Sequence, residues 1–134
     1  VIRLRTNYRT GEEVYLYRSI ATPETARAVF LDYLRGANDL ARDPAFYNAI
    51  TSNCTTNIRI HTKAVAGAKA APWDWRLLLN GKSDEFAYQQ GRLVGDLPFD
   101  QLKAQAHINE AARAADAAAD FSDLIRVGRV GFGS

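Results

Sequence analysis

The sequence predicts an α+β fold: an N-terminal β-hairpin followed by four or five helices. Three observations carry this expectation. Residues 1–18 alternate with period two, the stretch after Thr22-Pro23-Glu24 repeats apolar residues at three-four spacing, and the region near the end is rich in alanine. Period two puts alternate side chains on opposite faces of a half-buried strand, whereas three-four spacing lines one face of a helix. Strands grouped before helices, rather than alternating with them, argue for α+β.

The elements follow in order. "VIRLRT" sets Ile2 and Leu4 against Arg3 and Arg5, and "EVYLYR" sets Val14 and Leu16 against Tyr15 and Tyr17, with Thr10-Gly11-Glu12 as the turn. Thr22 is a good N-cap, Pro23 suits the first helical position, and Glu24 suits the positive end of the helix dipole. Ala26, Val29, Phe30, Tyr33, Leu34, Ala37 and Ala41 then read as one buried face, closed by Asp43-Pro44. A second helix is expected from about Cys54 to Val65, stopped near Gly67. "AGAKAAP" reads as a linker, and "WDWRLLLNG" as a short apolar element. "SDEFAYQQG" reads as a short helix with Ser83 as cap, Asp84 and Glu85 in its first turn, and Gly91 as its end. The last long helix is expected from Pro98 through the alanine-rich run, with Phe99, Leu102 and Ile108 as its larger contacts.

With 134 residues, the chain has the length of one domain and buries a core unaided. The expected organisation is a single α+β domain over residues 1–125 and a flexible tail or linker over 126–134, where three glycines occur in "VGRVGFGS". Val1 opens in an apparent strand, which suggests a piece of a longer protein. The net charge of +2 is slight and the basic residues are scattered, which argues against a nucleic-acid partner. No apolar run approaches the roughly 18 residues of a membrane span.

Candidate chemistry centres on Cys54. A lone cysteine permits no intrachain disulfide and no cysteine-rich zinc site. A free cysteine is often just a small buried hydrophobe. The neighbours here, Thr51, Ser52, Asn53, Thr55, Thr56 and Asn57, do not suit an apolar core. Asn53 or Ser52 can cap a helix and so place Cys54 in its first turn. There the unpaired N–H groups and the dipole favour a thiolate, and the same donors suit an oxyanion. Asn53 and Thr55 are the candidate supports.

A nucleophilic cysteine needs a base. His61 lies seven residues on, about 10 Å along a shared helix and too far for a hydrogen bond, so it reads as a face or core histidine. His107 reaches Cys54 only through tertiary folding, and it is the candidate base if no earlier histidine exists. The two histidines lack metal-ligand spacing, and no metal or cofactor is implied. Asp74, Asp84, Glu85 and Asp96 lie near turns or helix starts and read as caps. Trp73 and Trp75 line a groove or pack on the hairpin. There is no glycine-rich phosphate loop and no Gly-x-Ser-x-Gly elbow.

Several stretches together, "RLRTNYRTGEEVYLY", "FYNAITSNCTTN", "DWRLLLNGKSDE" and "INEAARAADAAADFSDLIR", resemble the bacterial Lnb N-terminal periplasmic domain family. The resemblance implies part of a permuted papain-like fold, with a histidine on an early strand and a cysteine heading a helix. It implies that Cys54 matches the nucleophile of an Asn-Cys-Ser/Thr motif. No residue of this chain matches the early histidine, because that strand would lie before Val1. The implied activity is thiol-dependent acyl transfer or amide hydrolysis at the periplasmic side of the membrane. The implied partner is an acylated lipoprotein or another envelope substrate. The rival reading is a non-catalytic envelope binding or scaffolding module with a buried cysteine. The substrate and the oligomeric state stay open.

Overall fold

The computed structural model describes residues 1–44, 60, 61, 63, 65 and 81–133. Six helices are complete among them: α1 (Ile2–Asn7), α2 (Pro23–Arg42), α3 (Ser83–Gln89), α4 (Phe99–Ala106), α5 (Asn109–Ala114) and α6 (Phe121–Leu124). Residues 60, 61, 63 and 65 are helical as well. The chain divides into two compact units: Val1–Ile20 with Leu93–Ser134, and Ala21–Arg92.

The α+β expectation is overturned. The described residues are mostly helical and contain no strand, only two isolated antiparallel bridges, Tyr15 with His107 and Ser19 with Leu93. No N-terminal β-hairpin forms, because its first arm is α1. The pattern Ile2, Leu4 against Arg3, Arg5 covers too few residues to separate the two periods. The helix period wins because it brings three particular side chains to one side. Ile2 packs on the core and Thr6 is buried. The Arg3 guanidinium lies 4.5 Å from the Phe121 ring centre and donates to the Ala118 carbonyl at 3.1 Å. Leu4, expected inside, is half exposed.

The core of the first unit is Ile108, Ala112 and Ile125, all fully buried, with Ile2, Val14, Leu16 and Phe121 packed against it. Asn7 and Tyr8 secure the end of α1 to α5 and the segment after it. The Asn7 amide donates to the Ala112 carbonyl at 3.0 Å and to Asp116 Oδ1 at 2.7 Å, and the Tyr8 hydroxyl donates to Asp116 Oδ2 at 3.0 Å.

The segment before residue 20 is extended and is tied to the helices through its backbone. Leu16 N–H donates to the Ala106 carbonyl at 2.7 Å, Ile108 N–H to the Val14 carbonyl at 3.0 Å, and Val94 N–H to the Arg18 carbonyl at 2.8 Å. The expected last long helix is broken here. His107 adopts φ −67°, ψ 122°, outside the helical region, because the bridge to Tyr15 takes it. The buried Asn109 side chain completes the junction: it accepts from Val14 N–H at 2.8 Å and donates to the Glu12 carbonyl at 2.7 Å. Tertiary hydrogen bonding here overrides the helix propensity of the alanines. After α6, Arg129 donates to the Ile125 and Gln105 carbonyls at 2.7 and 2.6 Å.

In the second unit, α2 starts as its sequence dictates. The Thr22 hydroxyl accepts from Thr25 N–H at 3.2 Å, with Pro23 at the start and Glu24 in the first turn. Its apolar stripe is not buried: Phe30 is 59% exposed, and Tyr33 and Leu34 are exposed too. In α3, Ser83 is the first helical residue rather than the cap, and Phe86 is buried. Gly91, at φ +61°, ends that helix by donating to the Tyr88 carbonyl at 2.8 Å.

Candidate functional site

Cys54, Asn53 and Thr55 lie outside the described residues, as do the linker and the Trp73–Trp75 element. Both histidines are described, and each is held by a carboxylate.

His61 packs on α2. Asp32 and Gly36 lie one helical turn apart and share a face. The His61 Nδ1–H donates to Asp32 Oδ2 at 2.8 Å, and its side chain is only 16% exposed. Tyr33 meets the imidazole edge-on, with ring centres 5.4 Å apart. A Cβ at Gly36 would stand 3.1 Å from His61 Cε1, so the missing side chain makes room for the ring. With Nδ1 donating to the carboxylate, the neutral ring carries its lone pair on Nε2. A third group that holds a base in one tautomer is the arrangement general-base chemistry requires. Sequence reasoning missed this pair. The available signal was Gly36 inside an otherwise strong helical pattern, which points to close packing at that position.

His107 lies at the C-terminal end of α4. Its Nε2–H donates to Glu13 Oε2, and its ring stands 5.3 Å from the Tyr15 ring at a 45° tilt. Lys103 Nζ lies 5.0 Å from the Tyr15 ring centre and 5.6 Å from that of Phe99. His107 is thus a partly exposed member of a cluster on the first unit, with Nε2 committed and Nδ1 as the lone-pair nitrogen. Among the described residues, no group of three His, Cys, Asp or Glu side chains is arranged to hold a metal ion. Among them, no helix is long and apolar enough to cross a membrane.

The charges near α1 have local causes. Hydrogen bonding from Arg9, together with the nearby Arg5, holds the Glu12 carboxyl below its ordinary range. The hydrogen bond to Asp116 raises the Tyr8 phenol.

Residues 1–81 match the Lnb N-terminal periplasmic domain family, and the chain belongs to that family. The matched span includes α1, α2, Asp32, His61 and the Cys54 run, and it excludes His107. The family description sets the domain on the extracytoplasmic side of the membrane. No curated protein and no solved structure matches the chain.

Proposed function

We propose that the chain is part of a periplasmic, membrane-associated, thiol-dependent acyltransferase or amidase acting through a thioester on Cys54. The observation that carries the reading is the family match across the polar run Thr51-Ser52-Asn53-Cys54-Thr55-Thr56-Asn57. Small polar side chains at a helix start favour a thiolate and supply donors for an oxyanion. In the first half-reaction the Cys54 thiolate attacks an acyl carbonyl, and the tetrahedral oxyanion takes hydrogen bonds from backbone N–H groups and from Asn53 or Thr55. Collapse forms the thioester and expels the leaving group with a proton. In the second, an amine or water attacks the thioester and returns the thiol. The acyl donor is an acylated lipoprotein or another envelope substrate.

The proton must pass through a base. His107 is one candidate, oriented by Glu13. His61 is oriented by Asp32 on Nδ1, but on a helix shared with Cys54 it would stand too far for a direct hydrogen bond. Iodoacetamide labelling across pH tests the reading. A thiolate stabilised as argued labels well below the free thiol's midpoint of about 8.5. An ordinary midpoint, or a native thiol that does not react, contradicts it. His61→Gln and His107→Gln show which imidazole sustains the low midpoint.

A second reading is favoured by one observation. The apolar stripe of α2, with Phe30, Leu31, Tyr33, Leu34 and Leu40 exposed, suits an envelope binding or scaffolding module. In that case Cys54→Ser leaves the function intact.

A further inference from the structure

The structure assigns a second ligand site, far in chemistry from any thiol: we infer that a depression on the first unit binds a phosphate-class anion. Arg18, Arg126 and Phe132 build it, with Val127, Gly131 and Asp123 also in the lining, and its volume is about 420 Å³.

Both guanidinium groups stand over one ring. Each guanidinium carbon lies 5.9 Å from the Phe132 ring centre. The arginines come from distant parts of the chain, and tertiary structure brings both to the Phe132 ring. Each is held in place. Arg18 is anchored by its own carbonyl, which accepts from Val94 N–H at 2.8 Å. Its side-chain stem is pressed by Gly131, where a Cβ would stand 2.9 Å from Arg18 Cβ and 3.0 Å from its Cγ. Gly131 sits at φ +78°, a conformation glycine adopts without strain, and this lets the chain close over that stem. Arg126 is fixed by Nη1, which donates to the Ser122 carbonyl and to Ser122 Oγ.

Neither guanidinium has a carboxylate within ion-pair distance among the described residues, whereas Arg5, Arg9 and Arg42 each do. Asp123 sets one negative charge against two positive ones in the lining. Arg129 is not in the lining; its Nε and Nη1 donate to the Ile125 and Gln105 carbonyls. A planar guanidinium fork matches the oxygens of a phosphate bidentately, and a phosphate's greater charge and oxygen count suit a site with two such forks. The shared chemistry is a phosphate oxyanion, carried by free phosphate or by a phospholipid headgroup. Val127, 64% exposed beside the depression, gives either ligand an apolar margin.

The test follows the arginine Nε–H resonances of the full chain by NMR during titration with inorganic phosphate. Chloride at equal ionic strength is the control. Saturable shifts at Arg18 and Arg126 with phosphate but not chloride are expected. Replacing one charge-assisted donor in Arg126→Gln should weaken the affinity about ten-fold or more. Arg126 lies at the surface, and an unchanged thermal midpoint verifies that the variant is folded. Should Arg18→Gln unfold, Arg126→Gln alone decides. A second arm sediments the chain with phosphatidylglycerol or phosphatidylcholine vesicles. Arg126-dependent pelleting with the anionic vesicles alone identifies the headgroup as the source, and phosphate shifts without pelleting identify the free ion. Equal shifts with phosphate and chloride together with no pelleting, or binding unaltered in Arg126→Gln, overturn the assignment.

Discussion

Asn109→Ala probes the junction on which the first unit depends. The Asn109 side chain is 2% exposed and serves both backbone directions of the extended segment. It accepts from Val14 N–H at 2.8 Å and donates to the Glu12 carbonyl at 2.7 Å. Truncation removes both bonds at once and leaves a backbone donor and a backbone acceptor without their partner. Each such orphaned buried group costs about 1–3 kcal/mol, so the variant should lose roughly 2–4 kcal/mol, discounted for partial access of water to Glu12. At a urea slope of about 1–3 kcal/mol per molar, the midpoint should fall by roughly 0.7–4 M. Far-UV circular dichroism gives the midpoint, and amide hydrogen exchange gives the local effect. The Val14 amide should lose protection first, while Leu16, bonded to the Ala106 carbonyl, keeps more of its own. A midpoint shift below about 0.3 M with Val14 still protected would refute the reasoning.

Other consequences are equally direct. Ile108→Ala empties a fully buried site and should cost about 2–5 kcal/mol, read by the same urea transition. Gly131→Ala meets Val94 Cγ1 at 2.8 Å and Arg18 Cβ at 2.9 Å in a left-handed conformation, and should cost about 1–3 kcal/mol by thermal melting. Thr22→Ala removes the cap that accepts from Thr25 N–H, and should cost about 1 kcal/mol and fray the start of α2 in hydrogen exchange. The Tyr8 pKa is raised in the fold, so its contribution is fully present below the unfolded value and is lost as pH rises through the folded one. Spectrophotometric titration should show a late component from Tyr8, which Asp116→Asn removes. Glu12 is the opposite case: its lowered pKa gives a contribution present above the unfolded value and lost as pH falls through the folded one. Glu12→Gln should flatten that acid limb, and added salt should reduce the difference.

The helix α2 was legible because its signals are local. Thr22, Pro23 and Glu24 start it, Asp43-Pro44 stops it, and the apolar spacing between them has one period. The N-terminal residues were not legible, since six residues of alternation fit either period. What decides them is distant: Phe121 and Ala118, which take Arg3 to the inner side. The same holds near His107. The alanines favour an unbroken helix, and only the backbone of residues 12–16, paired with Ala106, Ile108 and Asn109, breaks it. At the site, the sequence singled out Cys54 from its polar neighbours, and the family match covers that run. The Asp32–His61 pair was hidden because its partners stand 29 positions apart and meet only by packing.

The central claim is the thioester on Cys54. The most direct measurement is intact-protein mass spectrometry of the full chain after brief exposure to an activated ester, with peptide mapping of the product. The account predicts one acyl group on Cys54, removed by neutral hydroxylamine and absent in Cys54→Ser. An accessible Cys54 that alkylates but never carries an acyl group would contradict it.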